Sequence, residues 1–219
     1  MWSSEVTNMI ITGIWETLYM TLVSTLVGYV IGLPMGIILT VSDKDGIKPN
    51  AVLYKILDVI ANIVRSVPFI ILLVLLIPFT RLVVGKSYGS TATIVPLVIA
   101  AAPYIARMAE SSLKEVDAGV IEAARSMGAS NFTIITKVML VEARTSLLVG
   151  ATITLGTILG YSAMSGAVGG GGLGAIAIRY GYTRWQTDIM IVTVILLIIL
   201  FQIFQTVGMK LADKFDHRK

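Results

Sequence analysis

The sequence predicts an all-α membrane protein of about five transmembrane helices, with its N-terminus outside and its C-terminus inside. Three observations predict it. Hydrophobic residues make up 56% of the 219 residues and charged residues only 14%, where a soluble domain carries roughly 25% charged. The apolar residues gather into runs long enough to cross a bilayer, which takes about 20 residues, and mean hydropathy is +0.86. Alternation with period two is absent, which argues against a membrane β-barrel.

Taken in order, the spans fall at roughly 17–41, 56–80, 92–112, 145–167 and 188–211, joined by connections at about 42–55, 81–91, 113–144 and 168–187. Residues 1–16 contain Glu5 and Glu16 and no basic residue, so they lack the positive n-region of a cleavable signal peptide. There is no cysteine, which excludes disulfides, iron–sulfur clusters and thiol catalysis. Orientation follows from Lys and Arg. With the N-terminus outside, the inner segments hold eleven of them, from Lys44, Lys48 and Lys55 through Lys114, Arg125, Lys137 and Arg144 to Lys210, Lys214, Arg218 and Lys219. The outer segments hold four, Arg81, Lys86, Arg179 and Arg184. That bias obeys the positive-inside rule, and the net charge of +4 reads as topology rather than affinity for nucleic acid.

Within the spans, Ser24, Gly28, Gly32 and Gly36 recur every fourth position, as do Gly156 and Gly160. Each set forms a small-residue face on which two helix backbones approach closely, within one subunit or between two copies. Pro68 and Pro78 interrupt the second span, and Pro96 and Pro103 the third. Each frees a backbone carbonyl and bends its helix. Arg65 lies about nine residues, or roughly 14 Å, inside the second span at 1.5 Å per residue. A central arginine costs at least about 2.5–3.5 kcal/mol on insertion scales, so it must snorkel, pair, or face a watery cavity. Asp58, Asn62 and Ser66 in the same span suggest a shared polar face.

The connection 113–144 is the long one, and long connections in compact proteins are functional or disordered. Its pattern is helical: Val120, Ile121, Ala124 and Met127 share a face, with Glu122 and Arg125 opposite. Asp117 is placed to cap the start, Gly128 to end the helix in the left-handed region, and Ser130 to cap a second short helix from Asn131. An amphipathic helix lying on lipid would carry a wider apolar face with aromatic anchors. The narrow, alanine-rich face here suits a groove on another protein.

Glu122-Ala123-Ala124-Arg125-Ser126-Met127-Gly128-Ala129 resembles the EAA motif of ABC importer permeases. In that family an apolar–x–Leu–Pro pattern follows; here Val138-Met139-Leu140 matches and Val141 stands where the family has proline. Further segments resemble the methionine importer branch: Trp15 to Leu18, Arg65 to Ile70, Ala102 to Arg107, and Gly160 to Gly174. The resemblance covers nearly the whole chain. It implies a type I ABC importer permease fold, one transmembrane permease domain over residues 1–219, and location in the bacterial plasma membrane. It also implies a homodimer bound to two copies of a cytoplasmic ATPase and served by an extracytoplasmic binding protein, importing methionine (L- and D-) or another amino acid or small polar solute. Val120, Ile121, Glu122, Ala123, Ala124, Arg125, Met127 and Gly128 become the ATPase-coupling residues.

The chain has no G-x-x-x-x-G-K-[ST], so the phosphate cradle is absent. By the resemblance, ATP and magnesium belong to the partner ATPase, with no cofactor, metal or catalytic residue expected here. Gly169 to Gly172 with Gly174 reads as a flexible or close-packed re-entrant turn. Candidate substrate-pathway residues are Tyr161 and Ser162, which could meet solvent, and Met164, whose polarizable side chain suits a gate or a thioether contact. Arg65 and Pro68 join them. An intramembrane serine protease would need partners for Ser162, yet the one histidine is His217 in the tail. A proton-coupled secondary transporter would need intramembrane acids or inverted repeats, and neither is evident.

Overall fold

The computed structural model describes residues 4–215, leaving His217, Arg218 and Lys219 outside the described residues. The regular elements among the described residues are all helical: α1 (Ser4–Ser42), α2 (Ala51–Ser66), α3 (Phe69–Leu75), α4 (Ile77–Val84), α5 (Ser90–Lys114), α6 (Ala118–Ser126), α7 (Asn131–Thr133), α8 (Leu140–Glu142), α9 (Arg144–Ser165), α10 (Gly172–Ile176) and α11 (Thr187–Lys214). Helices α1, α5 and α11 and the stretch Arg144–Tyr182 are each long and apolar enough to cross a membrane, and α2 with α3 forms a fifth, broken span.

The first helix starts thirteen residues before the expected Thr17. Hydropathy marks where the apolar run begins, whereas the helix begins where backbone and packing allow. Gly13 already packs α1 against Ile176 and Leu173 of the α10 region. At 1.5 Å per residue α1 is about 58 Å long, well beyond a hydrocarbon core of about 30 Å.

The second span is not one helix. Val67 is extended (φ −81°, ψ 124°) and Pro68 follows with ψ 133°, as the clash between a proline ring and its preceding residue demands. The axes of α2 and α3 differ by 102°. In the third span, by contrast, Pro96 and Pro103 sit inside an unbroken α5. Packing decides the difference: α5 is held by α1, α2, α3, α4 and α9, and residues 101–103 are buried.

Small residues set the closest approach. Gly28, Gly32 and Gly36 of α1 lie directly on α5, and a methyl group added at Gly36 would stand 2.7 Å from Ala109 Cβ. This stripe therefore serves packing inside the subunit. In α9, Gly156 receives the Phe201 ring of α11, but a methyl group added at Gly160 would meet nothing within 4 Å. The glycine-rich turn is close-packed. Gly166 and Gly174 meet each other's backbone or that of Ala163, and Gly171 and Gly172 have positive φ (111° and 71°). Glu16 Oε2 accepts the Gly172 N–H at 2.7 Å and Thr17 Oγ1 accepts the Leu173 N–H at 2.9 Å, tying the turn to α1.

The expected second short helix of the inner connection does not stop. From Asn131 the chain runs through α7 and a π-helical turn, Ile134–Met139, then through α8 into α9. Val141 lies in α8, so the path into the fourth span is shaped by the π turn and by Ala143 (φ −80°, ψ −2°) rather than by a proline.

Gly32→Val is expected to lower stability by about 1–3 kcal/mol, the usual cost of overpacking, whereas Gly160→Ala leaves it unchanged. Thermal unfolding of the detergent-purified subunit compares the two.

Candidate functional site

The α2–α3 break positions an aromatic cavity. Beyond Pro68 the chain turns inward, and buried Phe69 stacks on Tyr161 of α9 with ring centroids 4.4 Å apart and planes 3° from parallel. On the other side of the break Arg65, in the last turn of α2, rests over the Tyr104 ring of α5 at 6.0 Å. These residues, with Val64, Val67, Leu72 and Ala100, line a cavity of about 170 Å³. Of the pathway candidates, Arg65 and Tyr161 share this space and Pro68 makes the bend that frames it. Ser162 does not meet solvent: it is 1% exposed and its hydroxyl donates to the Leu159 carbonyl at 2.8 Å. Adjacent positions on a helix point about 100° apart, so Tyr161 and Ser162 cannot both face one cavity. Met164 is 52% exposed and stands apart from the cavity wall.

Arg65 also lacks the expected polar face. Asp58 and Asn62 turn to Arg107 of α5 instead, with Asn62 Oδ1 accepting at 3.1 Å and Asp58 forming the ion pair. Ser66 donates to the Asn62 carbonyl. Arg107 opens a ladder of charges that sequence reading missed. Arg107 reaches Glu110 at 2.7 Å, Glu110 reaches Lys114 at 2.8 Å, and Lys114 reaches Asp43 beyond the end of α1 at 2.6 Å. The Tyr54 hydroxyl of α2 adds a hydrogen bond to Glu110 at 3.3 Å. A buried carboxylate is tolerated when paired and hydrogen-bonded, and Glu110, whose side chain is 6% exposed, has two cations and a phenol. The hydrogen bond from Lys114 holds the Asp43 carboxyl below its ordinary value. The i, i+3 and i+4 spacing of Arg107, Glu110 and Lys114 was the available signal.

On the inner side, the three caps form as the sequence predicts. Asp117 accepts from the Gly119 N–H, Gly128 takes φ 80°, and Ser130 accepts from the Thr133 N–H. The expected common face divides, however. Ile121 and Ala124 turn into the subunit against Leu113, Ile134 and Met139. Val120 (41%) and Met127 (82%) stay exposed, as does Phe132 (75%). Glu122 and Ala123 are exposed. Arg125 donates to the Ile47 carbonyl at 3.1 Å, binding α6 to the α1–α2 connection. The result is a capped helix anchored on one side and presenting apolar side chains on the other.

A family model described as "binding-protein-dependent transport system inner membrane component" matches residues 28–218. The chain belongs to this family. It is thus a multi-pass transport component of the bacterial inner membrane. Over 217 residues it is 49% identical to a probable D-methionine transport system permease protein, MetI, of Vibrio cholerae, covering 99% of this chain and 96% of the relative. It is 51% identical over 158 residues to the D-methionine transport system permease protein MetI of Escherichia coli K12, covering 72% of this chain and 73% of the relative. Its fold matches a structure of the MetNI methionine ABC transporter in inward-facing conformations, with TM-score 0.97, 49% identity, and coverage of 99% of this chain and 100% of that one. An amino acid ABC transporter solved with histidines shares the fold at TM-score 0.73 and 22% identity, covering 98% of this chain and 96% of that one.

Replacing Glu110 by Ala leaves Arg107 and Lys114 without their shared partner. Because Arg107 keeps Asp58 and Lys114 keeps Asp43, we expect a loss of about 1.5–3 kcal/mol, the range for hydrogen bonds to charged groups, read as a lowered unfolding midpoint in detergent.

Proposed function

We propose that this chain is the membrane-spanning permease subunit of an ATP-driven methionine importer. It works as a homodimer within the lipid bilayer, each copy bound to one cytoplasmic ATPase, and takes L- or D-methionine from an extracytoplasmic binding protein. ATP and magnesium are held by the ATPase, where hydrolysis occurs, and residues 1–219 act as one permease domain. The observation that carries this reading is the end-to-end likeness to the MetNI structure at 49% identity.

The inner helix α6 supports it physically. Its exposed Val120 and Met127, with exposed Phe132 just beyond the Gly128 turn, offer an apolar surface on a capped helix whose other side grips the subunit. That surface is the ATPase contact. Ile121, Ala124 and Arg125 carry the motion inward, because they are the groups that grip the subunit. Glu122 and Ala123 lie on the exposed side. Met164, also exposed, serves as a flexible apolar gate on the pathway side, while Ser162 contributes through helix packing.

The direct test is uptake by vesicles containing the full complex. Radiolabelled methionine should accumulate only with ATP and the binding protein, and across an amino-acid panel methionine should stimulate hydrolysis most. A complex that hydrolyses ATP in response to other amino acids but ignores methionine would reject the substrate assignment.

Gly128 gives a sharper check on the loop. Nothing lies within 4 Å of a side chain there, but φ is +80°, which costs an ordinary L-residue about 1–2 kcal/mol. Gly128→Val should reduce recovery of the ATPase on co-purification several-fold, whereas Gly128→Asn, which tolerates this region, should retain it.

A further inference from the structure

The cavity behind the α2–α3 break has two chemically different walls. One is Arg65, resting on the Tyr104 face, with no carboxylate partner among the described residues. The acid nearest to it along α2, Asp58, is committed to Arg107. The other wall is the Phe69–Tyr161 stack. A guanidinium carries its charge at any physiological pH and is shaped to bind a carboxylate through two parallel hydrogen bonds. An arginine kept in a spanning segment without a counter-ion is costly, and it marks a solute or ion pathway more often than a packing site. The stacked rings offer an apolar, polarizable surface of the kind a thioether prefers. At about 170 Å³ the space is smaller than the roughly 300–1,000 Å³ pockets that take drug-sized ligands, which suits one small solute.

Building on the reading of the chain as an amino-acid importer permease, we propose that this cavity is a solute subsite within the permease itself. Arg65 binds the α-carboxylate of an apolar amino acid, and the Phe69–Tyr161 stack receives its side chain. The subsite selects for a free carboxylate after the solute has left the binding protein, so the permease adds a second check on what is transported.

The test measures equilibrium binding of radiolabelled L-methionine to the detergent-purified permease–ATPase complex without binding protein, in nucleotide-free and ATP-analogue states. Methionine should bind wild type in at least one state. Arg65→Gln should weaken binding at least tenfold and Arg65→Lys by less, with both variants co-purifying with the ATPase as fully as wild type. Against wild type, the decarboxylated amine of methionine should compete at least tenfold worse than methionine, and Arg65→Gln should lose that discrimination. No binding to wild type in either state, unchanged binding in Arg65→Gln, or equal competition by the amine overturns the subsite. Equal competition by glycerol phosphate also overturns it, by assigning Arg65 to a lipid headgroup. If vesicles import another amino acid in place of methionine, the same measurement is made with that amino acid. The substrate assignment then fails while the carboxylate subsite stands or falls on its own result.

Discussion

The contact between the backbones of α1 and α5 is the constraint on which the rest of the subunit depends. In a bilayer, helices gain little by hiding apolar surface from one another, and association comes from close packing. Gly28, Gly32 and Gly36 let α1 reach the α5 backbone near Ala102 and Ala106. With α5 fixed, its other faces become platforms. One carries Tyr104 toward the α2–α3 break, and another carries Arg107, Glu110 and Lys114 toward α2 and the end of α1. Substitutions that fill this seam disturb both.

The cavity and the inner loop are therefore not separate features. Helix α2 holds Arg65 near its end, Asn62 about one turn earlier and Asp58 about two turns earlier, so the charge ladder fixes the helix that presents Arg65. At the ladder's far end, Lys114 and Asp43 border the groove beside α6 that also includes Ile121, Glu122 and Arg125. A displacement of α6 acts on the α1–α2 connection through Arg125 and Ile47, and that connection leads directly into α2.

Much of this was legible in the sequence, where the cause is local. Apolar run length located the spans, and cap chemistry located Asp117, Gly128 and Ser130 because each cap joins residues a few positions apart. The remainder depends on partners far along the chain. Pro68 announced a bend but not its 102°, since the angle is set by where Phe69 finds Tyr161. Arg65 drew attention as the charge deepest in its span, yet it was Arg107 that claimed Asp58, because α5 rather than α2 faces that carboxylate. The helical period placed Val120, Ile121, Ala124 and Met127 on one apolar face, which the structure splits. Its division into an inner and an outer pair reflects the subunit surface beneath it, which no helical period encodes.

The π-helical turn Ile134–Met139 leads through α8 and Ala143 into α9, whereas the π turn Ala177–Tyr182 is separated from α11 by the non-helical residues 183–186. A π turn holds one residue more than the α-helical path needs, and such insertions gather at functional sites. With the inner loop on the cytoplasmic side, the first marks the point where that loop meets the fourth span. The loop and the span therefore join through continuous backbone that carries one inserted residue, not through a flexible linker.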